Sequence, residues 1–168
     1  MQGGKMLLMA GAATGASMAT VGDLTVQPGV RSVYHRHPNT EESIFVVEGE
    51  MQFRVGNTRF HASSGDCILA PQGIGHGLEN IGESPARLIT IYPTADPGRE
   101  ALDDVDYIDG DPGPTVFVRG NAEPYEFFPG ISRYDMVGDF LSSTSTYLSE
   151  LTFQPGSIAA NHYHPSHE

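Results

Sequence analysis

The sequence predicts an all-β chain of many short antiparallel strands, closed into a barrel or folded as two packed sheets. Two observations carry this. Gly (20) and Pro (12) are abundant for 168 residues. Short apolar runs alternate with turn residues. No long helix is expected from such punctuation, and the length suits one complete core rather than two.

The strands can be read off in order. After Gln27, Pro28 and Gly29 comes RSVYHRH, and after Pro38, Asn39 and Thr40 comes ESIFVVE, closed by Gly49. MQFRV and TRFHA are separated by Gly56 and Asn57, a two-residue hairpin signal that predicts an antiparallel pair. CILA, HGLEN and ARLITIY follow, divided by SSGD, PQGIG and IGESP. Eight or so such strands leave few unpaired edges only if the sheet closes or doubles. Residues 94–115 break the rhythm with seven carboxylates, Arg99 as their only base, and prolines at either end. They read as an acidic linker or surface arm, and their carboxylates do not follow EF-hand spacing.

A formal charge of −12 argues against nucleic acid or an anionic membrane surface as partner, because both reward clusters of Lys and Arg. A small molecule is the expected ligand. No stretch has the length of a membrane-spanning helix, and the amino-terminal apolar run MLLMA is short for a secretion signal, so a cytoplasmic location is expected. Cys67 lies in the apolar run CILA and is expected to be a buried free thiol.

The residues that speak of chemistry are in HRHPNTEE, residues 35–42. On a strand, His35 and His37 share a face, about 6.5–7 Å apart along the backbone. With Glu42 and the downstream His76 they offer three imidazoles and a carboxylate, a set suited to one divalent transition metal ion: Fe, Mn, Ni, Cu or Zn.

The chain also repeats itself. LTVQPGVRSVYHRHPNTE, residues 24–41, aligns without a gap on LTFQPGSIAANHYHPSHE, residues 151–168, with nine of eighteen positions identical. The offset of 127 pairs His35 with His162, His37 with His164 and Glu41 with Glu168, and further upstream Gly3 with Gly130 and Gly11 with Gly138. This is the signature of an internal duplication. The division expected is a barrel body over 1–93, the acidic linker over 94–115, and the start of a second unit over 116–168. His162, His164 and His167 then read as a severed copy of the site, because no second carboxylate or downstream histidine follows them.

These residues resemble the two motifs of the cupin superfamily. The first is matched by Gly29, His35, His37, Glu42 and Gly49, the second by Gly65, Pro71, Gly73, His76 and Asn80. The duplication makes the chain similar to part of a two-domain bicupin. The resemblance implies a jelly-roll barrel, or double-stranded β-helix, with a metal held inside it by His35, His37, Glu42 and His76. Glu41 is the rival carboxylate, but only Glu42 is separated from Gly49 by six residues.

Strand parity places Arg31 and Val33 with His35, Ile44 and Val46 with Glu42, and Leu78 with His76, giving a mainly apolar pocket. Arg31 is the one charged residue expected on that face, where it either contacts a substrate carboxylate or phenolate or points to solvent from the barrel rim. Tyr34 and Arg36 are expected to face away, and His61 to be exposed. The activity implied is that of a metal-dependent oxidoreductase of the dioxygenase type, acting on a small enolic, phenolic or dicarbonyl substrate. The alternatives are an isomerase, cyclase, lyase or decarboxylase using the same ligands, and a non-catalytic binding or storage module. Residues 116–151 are expected to complete the first barrel within the chain or, by strand exchange, in a homodimer.

Overall fold

A computed structural model describes residues 3–164; His167 and Glu168 lie outside the described residues. The chain runs through β1 (Gly4–Ala10), β2 (Thr20–Val26), β3 (His35–Arg36), β4 (Glu42–Glu48), β5 (Glu50–Val55), β6 (Thr58–Ser63), β7 (Cys67–Ala70), β8 (His76–Asn80) and β9 (Ala86–Tyr92). Then come β10 (Glu100–Ala101), β11 (Ile108–Asp109), β12 (Val116–Phe117), β13 (Tyr125–Phe128), β14 (Ile131–Val137) and β15 (Leu148–Phe153). The helical elements among the described residues are single 3-10 turns, at Ala12–Thr14, Arg119–Asn121 and Asp139–Leu141. Among the described residues no helix is long and apolar enough to cross a membrane.

Two six-stranded sheets, ordered β1-β2-β9-β4-β7-β12 and β10-β3-β8-β5-β6-β11, make the jelly roll. Their inner faces meet in one core: Leu24, Val26, Ile44, Val46, Ile68, Ala86 and Leu88 from the first sheet, and Met51, Phe53, Phe60, Ala62 and Leu78 from the second. The alternation that fixes strand register is what sorts these side chains inward. The β5–β6 hairpin pairs Val55 with Thr58 across Gly56 and Asn57, as the turn residues predict. Sharp corners need glycine in places. At Gly49 (φ +112°), a Cβ would lie 2.6 Å from the Cβ of Ala86, so the β4–β5 turn and the start of β9 close against each other only without a side chain.

Residues 94–115 are not a free arm. Glu100–Ala101 pairs with β3, Ile108–Asp109 with β6, and Val116–Phe117 just beyond with β7, so the acidic segment straps the barrel and covers strand edges. Its carboxylates find cations that composition alone does not reveal: Asp104 pairs with Arg54, Asp109 with Arg59 at 2.5 Å and Glu100 with Arg36 at 2.8 Å.

Residues 116–153 contribute strand β12 to the first barrel within the chain and otherwise form a separate sheet, β13-β14-β15. Met136, Val137 and Leu141 of this unit pack on Cys67 and Leu69, with Phe45, Phe117, Tyr134 and Leu148 around them. All four residues of β7 are therefore buried, as expected of a strand covered on both faces. Burial pushes the Cys67 thiol up to about 12, leaving it neutral and unreactive.

The duplication holds in three dimensions. β1 pairs with β2 as Gly4 with Val26, and β14 with β15 as Ile131 with Phe153, the same register at the offset of 127. The register shift between Leu8 and Ala10 recurs between Asp135 and Val137. Gly11 N-caps the 3-10 turn Ala12–Thr14 and Gly138 its counterpart Asp139–Leu141. That turn ends in a left-handed residue both times, Gly15 (φ +89°) and then Ser142 (φ +64°), so the second copy keeps the backbone while losing the residue that suits it. A left-handed conformation costs an L-residue roughly 1–2 kcal/mol, partly offset by the extra unfolded-state entropy of glycine. Replacing the exposed Ser142 with Gly is therefore expected to stabilise the chain by about 0.5–1 kcal/mol, read as a raised urea midpoint.

Candidate metal centre

β3 and β8 place His35 directly opposite His76 in antiparallel register. Glu42 opens β4, and His37 follows β3 in a segment fixed from both sides. Gly73 N–H donates to the His37 carbonyl at 2.9 Å, and Gln72 Nε2 donates to that of Pro38 at 2.9 Å. The PQGIG turn therefore docks on the histidine strand and delivers His76 to it. Asn80, the last residue of the second motif, is structural: its side-chain amide donates to the carbonyls of Val26 and Ser84, and its Oδ1 accepts from Gly82 N–H.

His35, His37, Glu42 and His76 are all buried, none more than 8% exposed. One ligand atom from each lies within 4.8 Å of the others. Each imidazole is oriented from behind. Nδ1–H of His35 donates to the Val33 carbonyl at 2.8 Å, that of His76 to Ile74 at 2.9 Å, and that of His37 to Gly98. A carbonyl only accepts, so Nδ1 carries the proton and Nε2 is left to face the centre.

That arrangement poses an electrostatic problem whose solution is a cation. His76 Nε2 lies 2.9 Å from Glu42 Oε2 and His37 Nε2 lies 3.2 Å from the same oxygen. His37 Nε2 is buried with no hydrogen-bond partner. Lone pairs aimed at a buried carboxylate are held together only by a proton or a metal. The spacings suit the metal: ligands at right angles on bonds of about 2.1 Å stand about 2.9 Å apart. The four residues thus form a group that can hold one divalent transition metal ion.

Without a metal the charges settle differently. Burial works against ionisation of Glu42, but His37, His76 and Tyr92 outweigh it and hold the carboxyl far below its ordinary range. Burial would keep His76 neutral, but its hydrogen bond to Glu42 raises it above the usual imidazole value. His35 is driven down to about 4 by burial first and by the neighbouring His76 second, so it is neutral at ordinary pH.

The group opens into a cavity of about 270 Å³, also lined by Leu24, Ser32, Ile44, Leu78, Thr90, Tyr92 and Arg99. Ile44 and Leu78 line it as strand parity predicts. Arg31 and Val33 do not; they line a larger cavity of about 390 Å³ to which none of the four metal-site residues contributes. The reason is a slip of phase. Arg31 makes only an isolated bridge to Glu79 and β3 begins at His35, so the chain between is not a regular strand. Ser32, not Val33, turns inward. His61 is exposed and pairs with Glu50 at 2.7 Å.

Two participants escaped the sequence reading. Tyr92 donates its hydroxyl to Glu42 Oε1 at 2.6 Å, and burial together with that carboxylate pushes the phenol well above its ordinary range. Parity from Leu88 along β9 would have placed Thr90 and Tyr92 inside. Gly98 holds His37, and no local pattern in the acidic segment announces it. Glu41 faces away from the centre. It accepts from Ser143 Oγ at 2.6 Å and from the N–H groups of Thr144 and Ser145 at 2.9 and 3.1 Å, latching the second unit's loop to the barrel. Among the described second-unit histidines, His162 and His164 lie with ring centroids 5.1 Å apart, the same spacing as His35 and His37. Both are exposed, and no carboxylate joins them in a metal-holding group among the described residues.

A buried group of three histidines and a glutamate inside an antiparallel double-sheet barrel defines a metal-binding jelly roll. Residues 22–92 match the family model of the cupin domain, and that region carries the cupin fold. An oxalate decarboxylase of Bacillus subtilis (strain 168) is 35% identical over 74 residues, covering 41% of this chain and 19% of the relative. A tetracenomycin polyketide synthase protein of Streptomyces glaucescens is 28% identical over 96 residues, covering 56% of this chain and 64% of the relative. A solved structure of the Bacillus subtilis oxalate decarboxylase, described for its Mn(II) centres, superposes with a TM-score of 0.56 at 27% identity, covering 61% of this chain and 29% of that one. The chain spans less than two thirds of the length of each.

Glu42→Gln is expected to abolish stoichiometric metal by elemental analysis. Glu41→Gln, one residue away, is expected to retain the metal and to cost about 1–3 kcal/mol in urea unfolding, because an amide NH2 would face donors that need an acceptor. Metal binding has to displace the proton that Glu42 holds on His76, whose imidazole is raised above its ordinary range. Affinity is therefore expected to rise with pH and to go on rising above the ordinary imidazole range, with proton uptake by the buffer measurable in calorimetry.

Proposed function

We propose that this protein is a metal-dependent cupin enzyme, most specifically an oxidoreductase of the dioxygenase type acting on a small enolic, phenolic or dicarbonyl substrate. The observation that carries the reading is the donor set: three imidazoles presenting Nε2 and a single carboxylate, buried beside a cavity of about 270 Å³. A divalent ion held there would supply Lewis-acid or redox activation to a substrate in the cavity.

The chain's own residues do the rest. Val33, Ile74 and Gly98 carbonyls lock the three rings against rotation, so the donors are preorganised. Leu24, Ile44, Phe53 and Leu78 line the cavity with apolar surface, which excludes water and strengthens the electrostatics within. Tyr92 takes one oxygen of Glu42, leaving the other facing the histidines. It keeps its proton near a substrate without being a base at ordinary pH.

The relatives favour a second reading. One is an oxalate decarboxylase and another a polyketide synthase protein, so the same donor set serves, by analogy, for a decarboxylase, lyase or cyclase that consumes no oxygen. Oxygen uptake separates the two. Protein loaded with Fe, Mn, Ni, Cu or Zn in turn is offered a panel of phenols, β-dicarbonyls and small carboxylic acids. Stoichiometric O2 consumption with product formation is the expected result. Turnover undiminished under strict anaerobiosis would overturn the dioxygenase reading in favour of the second.

A further inference from the structure

We infer that Arg99 is the substrate-anchoring residue of the site and that the cavity takes a small anion, a carboxylate or enolate, between Arg99 and the metal-holding group. The inference rests on the reading of the cavity as a substrate site and adds the charge of the ligand.

The placement of Arg99 is the first argument. It is the only cation of an acidic segment, and its neighbours are fastened to the histidine strand on both sides. Gly98 accepts from His37 Nδ1 and donates its N–H to Asn39 Oδ1 at 2.8 Å. Glu100 and Ala101 pair with Arg36 and His35, and Leu102 N–H donates to the Tyr34 carbonyl at 2.9 Å. The strap thus carries the Arg99 side chain to the rim of the cavity that His35, Glu42 and His76 line. There its charge acts on His35, His76 and Tyr92.

The second argument is what each charge already has. Two arginines line this cavity, Arg54 and Arg99. Arg54 is spent: it pairs with Asp104, donates to the carbonyls of Gly56 and Val105, and stacks 4.0 Å from the Tyr34 ring centroid. Glu42, the one carboxylate lining it, is taken by His37, His76 and Tyr92. Arg99 has no carboxylate within ion-pair distance among the described residues. In a chain of net charge −12, an arginine left without an acidic partner beside a buried site stands out. Thr90 also lines the cavity, and its Oγ1 is buried without a hydrogen-bond partner, a second polar group that a ligand oxygen would satisfy.

Chemistry then selects the ligand. A divalent ion over a single carboxylate leaves positive charge, and the guanidinium adds more, so a neutral ligand would leave the cavity uncompensated. A planar fork of N–H donors matches a carboxylate or an enolate oxygen. The volume, near the lower end of the usual range of about 300–1,000 Å³ for ligand sites, restricts it to a small molecule.

Glycolate and glycolamide, nearly the same shape with and without the charge, test this on the full chain loaded with Mn(II), by titration calorimetry. The wild type is expected to bind glycolate at least tenfold tighter than glycolamide. Arg99→Gln should abolish most of that preference while leaving glycolamide affinity, metal content and the urea midpoint unchanged, and Arg99→Lys should keep part of it. An unaltered preference in Arg99→Gln, or no preference in the wild type, overturns the assignment. If neither ligand binds, elemental analysis tells the two failures apart: full metal content rejects the anion site alone, and absent metal rejects the metal centre with it.

Discussion

The constraint on which the site depends is the commitment of three imidazole Nδ1–H groups to backbone carbonyls. Val33, Ile74 and Gly98 each take one, and this turns three Nε2 atoms toward one another and the Glu42 carboxylate inside the barrel. Like-polarity groups so arranged repel unless a cation joins them, and burial removes the solvent that would otherwise screen them. The surrounding strands have to hold that arrangement in place. The direct pairing of His35 with His76, the docking of the PQGIG turn on the His37 carbonyl and the Asn80 bonds at the end of β8 all serve it.

How much of this was legible in the sequence follows from how local each signal is. The four metal-holding residues could be read because alternation on a strand and glycine-bounded turns are properties of a few consecutive residues. Arg31 shows the limit of the same rule. Parity carries only as far as regular pairing does, and between Arg31 and His35 the chain makes a single isolated bridge, so the phase slips and Ser32 takes the inward place. Tyr92 was accessible to the rule, on a regular strand with Leu88 as reference. Gly98 and Arg99 were not. Composition makes residues 94–115 an acidic linker, and only the pairing of Glu100–Ala101 with β3 reveals that the segment lies over the histidines. Three of its seven negative charges, which suggest solvation, are instead paired with Arg36, Arg54 and Arg59.

The duplicated segment separates what a backbone requires from what a site requires. The β1–β2 and β14–β15 hairpins share register, bulge and capping glycine across the offset of 127. Even the small bond of a histidine Nδ1 to the carbonyl two residues earlier recurs, His35 to Val33 and His162 to Ala160, both at 2.8 Å. That local bond needs only a strand-like turn, so it persists in an exposed segment. Convergence of several ligands needs β4 and β8 from elsewhere in a barrel, and among the described residues only the first unit supplies them.

The two neighbouring glutamates show how the units are joined. Glu41 and Glu42 lie on opposite sides of one extended backbone, as alternation demands. One peptide bond therefore links the carboxylate that receives Ser143, Thr144 and Ser145 of the second unit to the carboxylate that faces the three histidines. Burial opposes the ionisation of Glu41, but the donors of that loop outweigh it and hold its carboxyl below the ordinary range. The latch is thus a charged, fully partnered contact whose loss would leave a buried carboxylate without donors. Met136, Val137 and Leu141 reinforce it by covering the outer face of β7, whose inner residue Ala70 pairs across to Glu42. The second unit, which holds no complete metal-binding group among its described residues, therefore braces the start of the strand that presents Glu42 and the strand β7 beside it. Its part is to help fix where that carboxylate stands.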